Sequence, residues 1–367
     1  MPKCDLQIVF DRADCTYKTG ERITGTVQVT VNEDCECRKL ILARQWCASG
    51  QGESDQGTPE EEQVIFSGAW RAGQIPSYPF EIESPRGPIS YHGALFNVGW
   101  QILAAADAFG IDATSAENFV LVSGSPTEDA RMETLEERPP QLGGPFEKAP
   151  SGYSGGCMQL FAALFGAVAL FVGLPCLVIG VLNLITIYIP VSLPISVPTG
   201  PMQSIFLIVV GGLFTTLGGR VLITLLRGAM ARTKIGPVQF EVSPTTLRRG
   251  GTVTCTVRLQ PRGSMELSEA TANLVATELV VGRRGDSDSD IPPTWRQVIH
   301  ESRAQITTAR AICGGESTLL TATLTIPPDA PCTFSGGNNR LVWTVAVELK
   351  LKGLPDWART VPITIHP

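Results

Sequence analysis

Between Ala149 and Gly219 the chain carries no Asp, Glu, Lys or Arg. A soluble fold of that length has to solvate its surface, and soluble domains charge about a quarter of their residues. The whole chain charges 17%, and the deficit is local. Residues 158–189, "MQLFAALFGAVALFVGLPCLVIGVLNLITIYI", are apolar and exceed the roughly 20 residues that cross a bilayer core. Pro175 would kink such a helix without abolishing it. A second apolar run, Ile205–Leu226, is interrupted only by Arg220, close enough to its end to reach the headgroups. The link "PVSLPISVPTGPMQS" is short, Pro-rich and uncharged. The expectation is a transmembrane helical hairpin within residues 158–229, with spans at about 158–189 and 205–226.

Glycines recur every seven residues in these runs: Gly166, Gly173 and Gly180 in the first, Gly211 with Gly218 and Gly212 with Gly219 in the second. That interval keeps them on one helix face, where small residues let backbones approach. The seam lies within the hairpin or between copies of the chain, the latter giving a homo-oligomer. Arg220, Arg227, Arg232 and Lys234 cluster at the end of the second run, Lys148 precedes the first, and the link has no cation. Positive charge stays inside, so both termini are expected in the cytoplasm. The opening "MPKCDLQIVFDRADC" holds no apolar stretch of secretory-signal length. Charge also separates the halves. Residues 1–126 hold nine Lys/Arg against seventeen Asp/Glu, and residues 230–367 hold fifteen against twelve. The basic second half follows the second span closely and suits an anionic leaflet. Arg248 and Arg249 therefore join Arg220, Arg227, Arg232 and Lys234 as candidate membrane-surface contacts. The acidic first half is expected to stand off as an arm.

Both flanks are written in period two. "ITGTVQVTV" at 23–31 alternates apolar or small residues with Thr and Gln, and "VTCTVRL" at 253–259 repeats the device. Each follows a glycine turn, "KTGERI" or "RRGGTV". Later runs agree: Val98, Trp100 and Ile102 share a face, as do Leu341, Trp343, Val345, Val347, Leu349 and Leu351. Short alternating strands with Gly/Pro turns predict a mainly β chain with an antiparallel sandwich in each flank, 1–126 and 237–367. The order of features repeats: glycine turn, alternating strand, variable loops, an apolar strand running into prolines ("YPFEIESPRGP"; "LTIPPDAP"), a Ser/Gly turn before a Trp strand ("SYHGALFNVGW"; "SGGNNRLVW"), a loop with Asp112 or Asp356, and a closing strand ("FVLV"; "VPITI"). Residues 127–157, rich in Pro, Gly and acid, read as a linker with one helical turn near Glu133–Glu137.

The stretch "YKTGERITGTVQVTV", with "YPFEIESPRGPISYHG" and "VGWQI", resembles the arrestin-like N-terminal sandwich over most of residues 3–126. The second flank matches more loosely, through Gly250, Pro327-Pro328, Phe334-Ser335, Trp343 and Pro355-Asp356, with Leu247 where the first has Tyr17. The resemblance implies arrestin/Ig-like sandwiches and a cytosolic adaptor that recruits partners or sorts membrane cargo. Here about 110 residues separate sandwiches that usually follow one another, and no PPxY motif is present; "RPPQL" is the nearest approach.

Catalytic constellations are absent. His92, His300 and His366 form no metal-binding pair, and no G-x-S-x-G, P-loop, G-x-G-x-x-G after a strand or H-E-x-x-H occurs. "GGESTLL" at 314–320 leads into a strand. Cys35, Cys37 and Cys47 lack the spacing of structural zinc sites, and on a strand Cys35 and Cys37 share a face as packing thiols. Five cysteines in the first 47 residues against three scattered in the second flank do not repeat as a disulfide framework would, which favours reduced thiols. The acidic loop "GESDQGTPEEE" reads as solvated, and "RRGDSDSD" as a solvated turn. The expectation is a non-enzyme, without cofactor or metal and with no nucleic-acid partner. It would bind the bilayer and protein partners, in one mode by strand addition at a sandwich edge. The rival readings are an extracytoplasmic receptor or adhesion protein with Ig-like domains, and a purely structural envelope or oligomerisation protein.

Overall fold

The computed structural model describes residues 3–108, 113–124, 156–188, 201–282 and 293–367. Strands are numbered in chain order. In the first flank, β1 (Cys4–Phe10), β3 (Arg22–Val31) and β7 (Ser77–Glu83) form one sheet. The facing sheet runs β2 (Thr16–Lys18), β10 (Ala113–Val122), β9 (Phe96–Ala108), β4 (Cys35–Gly50) and β5 (Asp55–Gln56), with β6 (Glu60–Trp70) also on β4 and β8 (Tyr91–His92) on β9. The second flank has the same order. One sheet is β11 (Val238–Ser243), β13 (Thr252–Leu259) and β17 (Thr318–Thr325). The other is β12 (Thr246–Arg248), β20 (Trp357–His366), β19 (Asn339–Leu351), β14 (Met265–Val281) and β15 (Thr294–Thr307), with β16 (Arg310–Ile312) on β14 and β18 (Phe334–Ser335) on β19. The chain therefore consists of two β-sandwiches flanking a pair of apolar helices.

Alternation became burial where it was expected. In β3 the odd positions face the core, with Ile23, Val27 and Val29 fully buried, while its Thr and Gln side chains point outward. In β19 the six apolar residues from Leu341 to Leu351 are buried. The repeat extends to single hydrogen bonds. Trp100 Nε1 donates to the Pro88 carbonyl (2.7 Å) and Trp343 Nε1 to the Pro331 carbonyl (2.9 Å). Ser90 Oγ accepts from Leu121 N (2.9 Å) and Thr333 Oγ1 from Ile365 N (2.8 Å). Gly20 and Gly250 open their strands at φ 76° and 75°, a left-handed turn that glycine adopts freely. At Tyr17 the first core gains an aromatic cluster with Phe10 and Phe119 that Leu247 cannot build.

The helices are α1 (Gly156–Tyr188), continuous through Pro175, and α2 (Pro201–Ile235). Each contains a segment apolar and long enough to span a membrane, Ala162–Ile185 and Pro201–Leu226. They lie antiparallel, and glycines set their separation. A Cβ on Gly218 would stand 2.7 Å from the Gly166 carbonyl oxygen, one on Gly173 2.7 Å from Thr215 N, and one on Gly180 3.0 Å from the Ser204 carbonyl oxygen. Gly211 packs equally tightly on Gly173 and Leu177. Gly219 has nothing within 4 Å and Gly212 meets only Leu177 Cδ1. Five of the seven glycines thus form a seam inside the hairpin. Outside it, large apolar side chains such as Phe165, Phe171 and Phe206 are left exposed.

The second helix outruns its apolar segment by nine residues. Arg227, Arg232 and Lys234, expected in a short connection, stand on α2 itself. The linker expected at 127–157 lies outside the described residues except Gly156 and Cys157, which begin α1. Glu133–Glu137, Asp112 and the "RRGDSDSD" turn also lie outside them.

Candidate functional site at the two junctions of the chain

Two junctions hold the chain's most specific polar chemistry. The first joins the sandwiches. In each, a tight turn precedes the Trp strand, closed by Gly93 N to Phe96 O (3.0 Å) or by Gly336 N to Asn339 O (2.8 Å). Each turn is gripped by a carboxylate of the other sandwich. Glu278 on β14 accepts from Leu95 N (2.7 Å), Ala94 N (3.1 Å) and the Tyr91 hydroxyl. Asp55 on β5 accepts from Asn339 N (2.8 Å) and Asn338 N (2.9 Å), and from the amides of both side chains. Glu278 and Asn339 are 0% exposed. A buried carboxylate is costly unless donors surround it, and charge-assisted bonds to backbone N–H are among the stronger ones.

Glycine makes this grip possible: a Cβ at Gly93 would collide with the Glu278 carboxylate, and one at Gly336 with Asp55. Around the acids lies an apolar contact. Phe334 packs edge-on to Trp46 (5.5 Å, 87°) and against Phe96 (5.8 Å), and Phe96 packs against Tyr91 (5.7 Å). Phe334 occupies in β18 the place of Tyr91 in β8, so one repeat position serves as a hydrophobic anchor in one sandwich and a hydroxyl donor in the other. Burial, with Glu278 next, pushes the Tyr91 hydroxyl pKa far up, so it stays a donor. Two further hydrogen bonds tie the joint, the backbone pair Glu53 N to Val281 O (3.1 Å) and the side-chain amide Asn339 Nδ2 to Glu53 O (2.8 Å).

The acidic loop read as solvated is therefore structural. Its start carries the Asp55 clamp. Its end carries Glu60 and Glu61, which pair with Arg44 (3.4 and 3.1 Å), a guanidinium on β4 that also donates to the Glu83 carbonyl. The arm expected to reach out from the membrane is docked on the second sandwich. The signal that could have found this was the repeat itself: Glu278 sits inside the alternating run of β14 at a fully buried position.

The second junction joins α2 to the second sandwich. Ile235, the last helical residue, is buried in that sandwich's core. Arg262 N donates to the Lys234 carbonyl (2.8 Å), and Gly315 N to the Pro261 carbonyl (2.6 Å). Gly236 turns at φ 67° against the Gln260 carbonyl, where a Cβ would clash. The helix enters the sandwich without a flexible connection.

The candidate membrane contacts divide between the two ends of the second sandwich. Arg220, Arg227, Arg232 and Lys234 lie along α2 toward the helix junction. Arg248 ends β12 and Arg249 begins the turn before β13, at the end opposite Leu259, which pairs with Val238 beside the helix. The cysteines Cys35 and Cys37 share the buried face of β4. They interact electrostatically with Cys4, and burial pushes the Cys37 thiol up to about 11. Cys47 is half-buried farther along the strand. Cys313, by contrast, is exposed. His92 is exposed beside Asn97, His300 packs on Trp343, and His366 pairs with Arg248 across β20 and β12. "GGESTLL" runs into strand β17.

No protein-family model and no curated protein matches the chain. Among solved structures the chain is similar to Spo0M, a sporulation control protein from Bacillus subtilis, at 19% identity and a TM-score of 0.28. The match covers 36% of this chain and 51% of that one, so the chain spans about half of Spo0M's length. At that TM-score the likeness bears on neither fold nor function.

Proposed function

We propose that this protein is a two-pass, membrane-anchored, non-catalytic scaffold whose two arrestin-like sandwiches are carried as one body on the helical hairpin and recruit protein partners or membrane cargo. The observation that supports this best is the unbroken chain of specific contacts from α2 through Ile235 into the second sandwich, and through Glu278 and Asp55 into the first. The arrestin-like reading rests on the motifs around Tyr17, Gly20 and Trp100. Both buried acids at the sandwich joint have their carboxylate oxygens engaged in holding turns. The positive-inside bias around Arg220, Arg227 and Lys234 supports both termini in the cytoplasm.

Side-specific thiol labelling tests the topology. Cys313 is the appropriate reporter because it is exposed, whereas Cys35 and Cys37 are buried. A membrane-impermeant maleimide should label Cys313 only after cells are permeabilised. Labelling in intact cells would sink the cytosolic scaffold and install the extracytoplasmic receptor in its place. Proximity labelling from the first sandwich then reads partners.

A further inference from the structure

We infer that the helix-side end of the second sandwich, carrying Lys234, Arg262 and Arg310, is a docking face for an anionic membrane leaflet. This rests on the membrane-anchored reading above. The geometry of α2 fixes the height of that face. From the last apolar residue, Leu226, to the buried Ile235 the helix continues for nine residues, about 13 Å at 1.5 Å per residue. The headgroup layer takes up roughly 5–8 Å of that distance. What remains is within one Debye length, about 8–10 Å, and long basic side chains narrow it further.

The sandwich cannot turn this end away, because Ile235 is in its core and Lys234 is bonded to Arg262 through the backbone. The loop at Arg262 lies directly on the loop at Gly314: a Cβ on Gly314 would stand 2.9 Å from Gly263 Cα. Arg310 follows in β16, paired with Leu267 near the start of β14. Lys234, Arg262 and Arg310 are exposed, and among the described residues none forms an ion pair. Lys352 nearby is paired with Glu266 at 2.9 Å, and Lys350 with Glu269 at 2.9 Å. Besides Glu266 and Glu269, which those lysines neutralise, the acids at this end are Glu316 and Asp356, and Asp356 accepts from Leu351 N (3.3 Å).

Distance excludes the other candidate pair. Arg248 and Arg249 are a full length of β13 farther from the helix, eight residues, or about 26 Å at 3.3 Å per residue. That is two to three Debye lengths beyond the face, where a leaflet's potential has decayed.

The test is hydrogen–deuterium exchange of the full chain in nanodiscs of phosphatidylcholine, with or without phosphatidylserine. Exchange in segments 260–264 and 309–317 should slow in phosphatidylserine discs, by about fivefold per cation engaged, with 246–251 unchanged. The slowing should fade at high salt and in the doubly substituted Arg262→Glu, Arg310→Glu chain. The Arg262 contact to the helix is through its backbone, so that variant keeps the junction, and an unchanged melting temperature checks it. Equal exchange in the two lipids, or slowing at 246–251 instead, overturns the inference. Failure of the chain to co-elute with discs at all would instead overturn membrane anchoring.

Discussion

Glu278 and Asp55 each satisfy several donors of the joint at once. Removing one leaves these donors, part-buried at the joint, without their acceptor. An unsatisfied buried donor costs about 1–3 kcal/mol, and Glu278→Ala orphans two backbone N–H groups and the Tyr91 hydroxyl. We expect Glu278→Ala to destabilise the joint by at least about 3 kcal/mol, read as a lower unfolding midpoint and a change in Trp46 fluorescence as Phe334 leaves its ring. Tyr91 adds a pH dependence with a definite sign. Its folded pKa is raised, so its contribution is complete below about pH 10, the ordinary tyrosine value, and is lost as pH rises above it. The same rule holds for Cys37, pushed up to about 11 by burial and by Cys4 and Cys35. At neutral pH maleimide should modify Cys313 readily and Cys37 only after unfolding; modification of Cys37 in the folded chain would contradict the packing described here.

At the scale of elements, the hairpin and the strands follow opposite logics. The sheets bury large side chains on alternating positions, whereas α1 and α2 bury absence, five glycines whose missing Cβ atoms let backbones meet. Gly173→Val should therefore pry the helices apart, measured as lost disulfide trapping between cysteines introduced across the seam. Gly219→Val, with open space before it, should leave trapping unchanged. Equal loss in both would place the seam on the wrong face. Period two in β3, β13 and β19 was readable because each has one face in a core and one in water. The two glycine rows of the second span were equally readable, but which row faces the partner helix was not. That depends on the rotation of α2 against α1, which the contacts of Gly211 and Gly218 with Gly173, Leu177 and Gly166 show.

For the whole molecule, the order along the long direction is helical hairpin, second sandwich, first sandwich. The acidic first half meets the basic second half at its far end, away from the helices. Hydrogen bonds and buried apolar contacts span both described junctions, α2 to the second sandwich and the second sandwich to the first. Loosening the sandwich joint with Phe334→Ala, a loss of about 3–5 kcal/mol for a buried Phe, should convert the joined sandwiches into two independently moving bodies, measured as a broadened distance distribution between spin labels on the two sandwiches.

By itself the sequence determined the hairpin, the two sandwiches and their repeat. Each of these is a periodic or compositional property that a strand or helix must display along its own length. Only the tertiary structure decided what the acids and arginines do. Asp55 sat in a loop of ordinary acidic composition, and Glu278 interrupted an apolar run without any local partner. Their partners, Asn338–Asn339 and Tyr91–Leu95, lie more than 180 residues away in the chain. Arg248 and Arg249 looked membrane-proximal because they follow α2 closely in sequence, yet β11 carries the chain to the far end of the sandwich before they appear. Charge acts through space, and in a sandwich the nearest residues in sequence are often a strand's length apart.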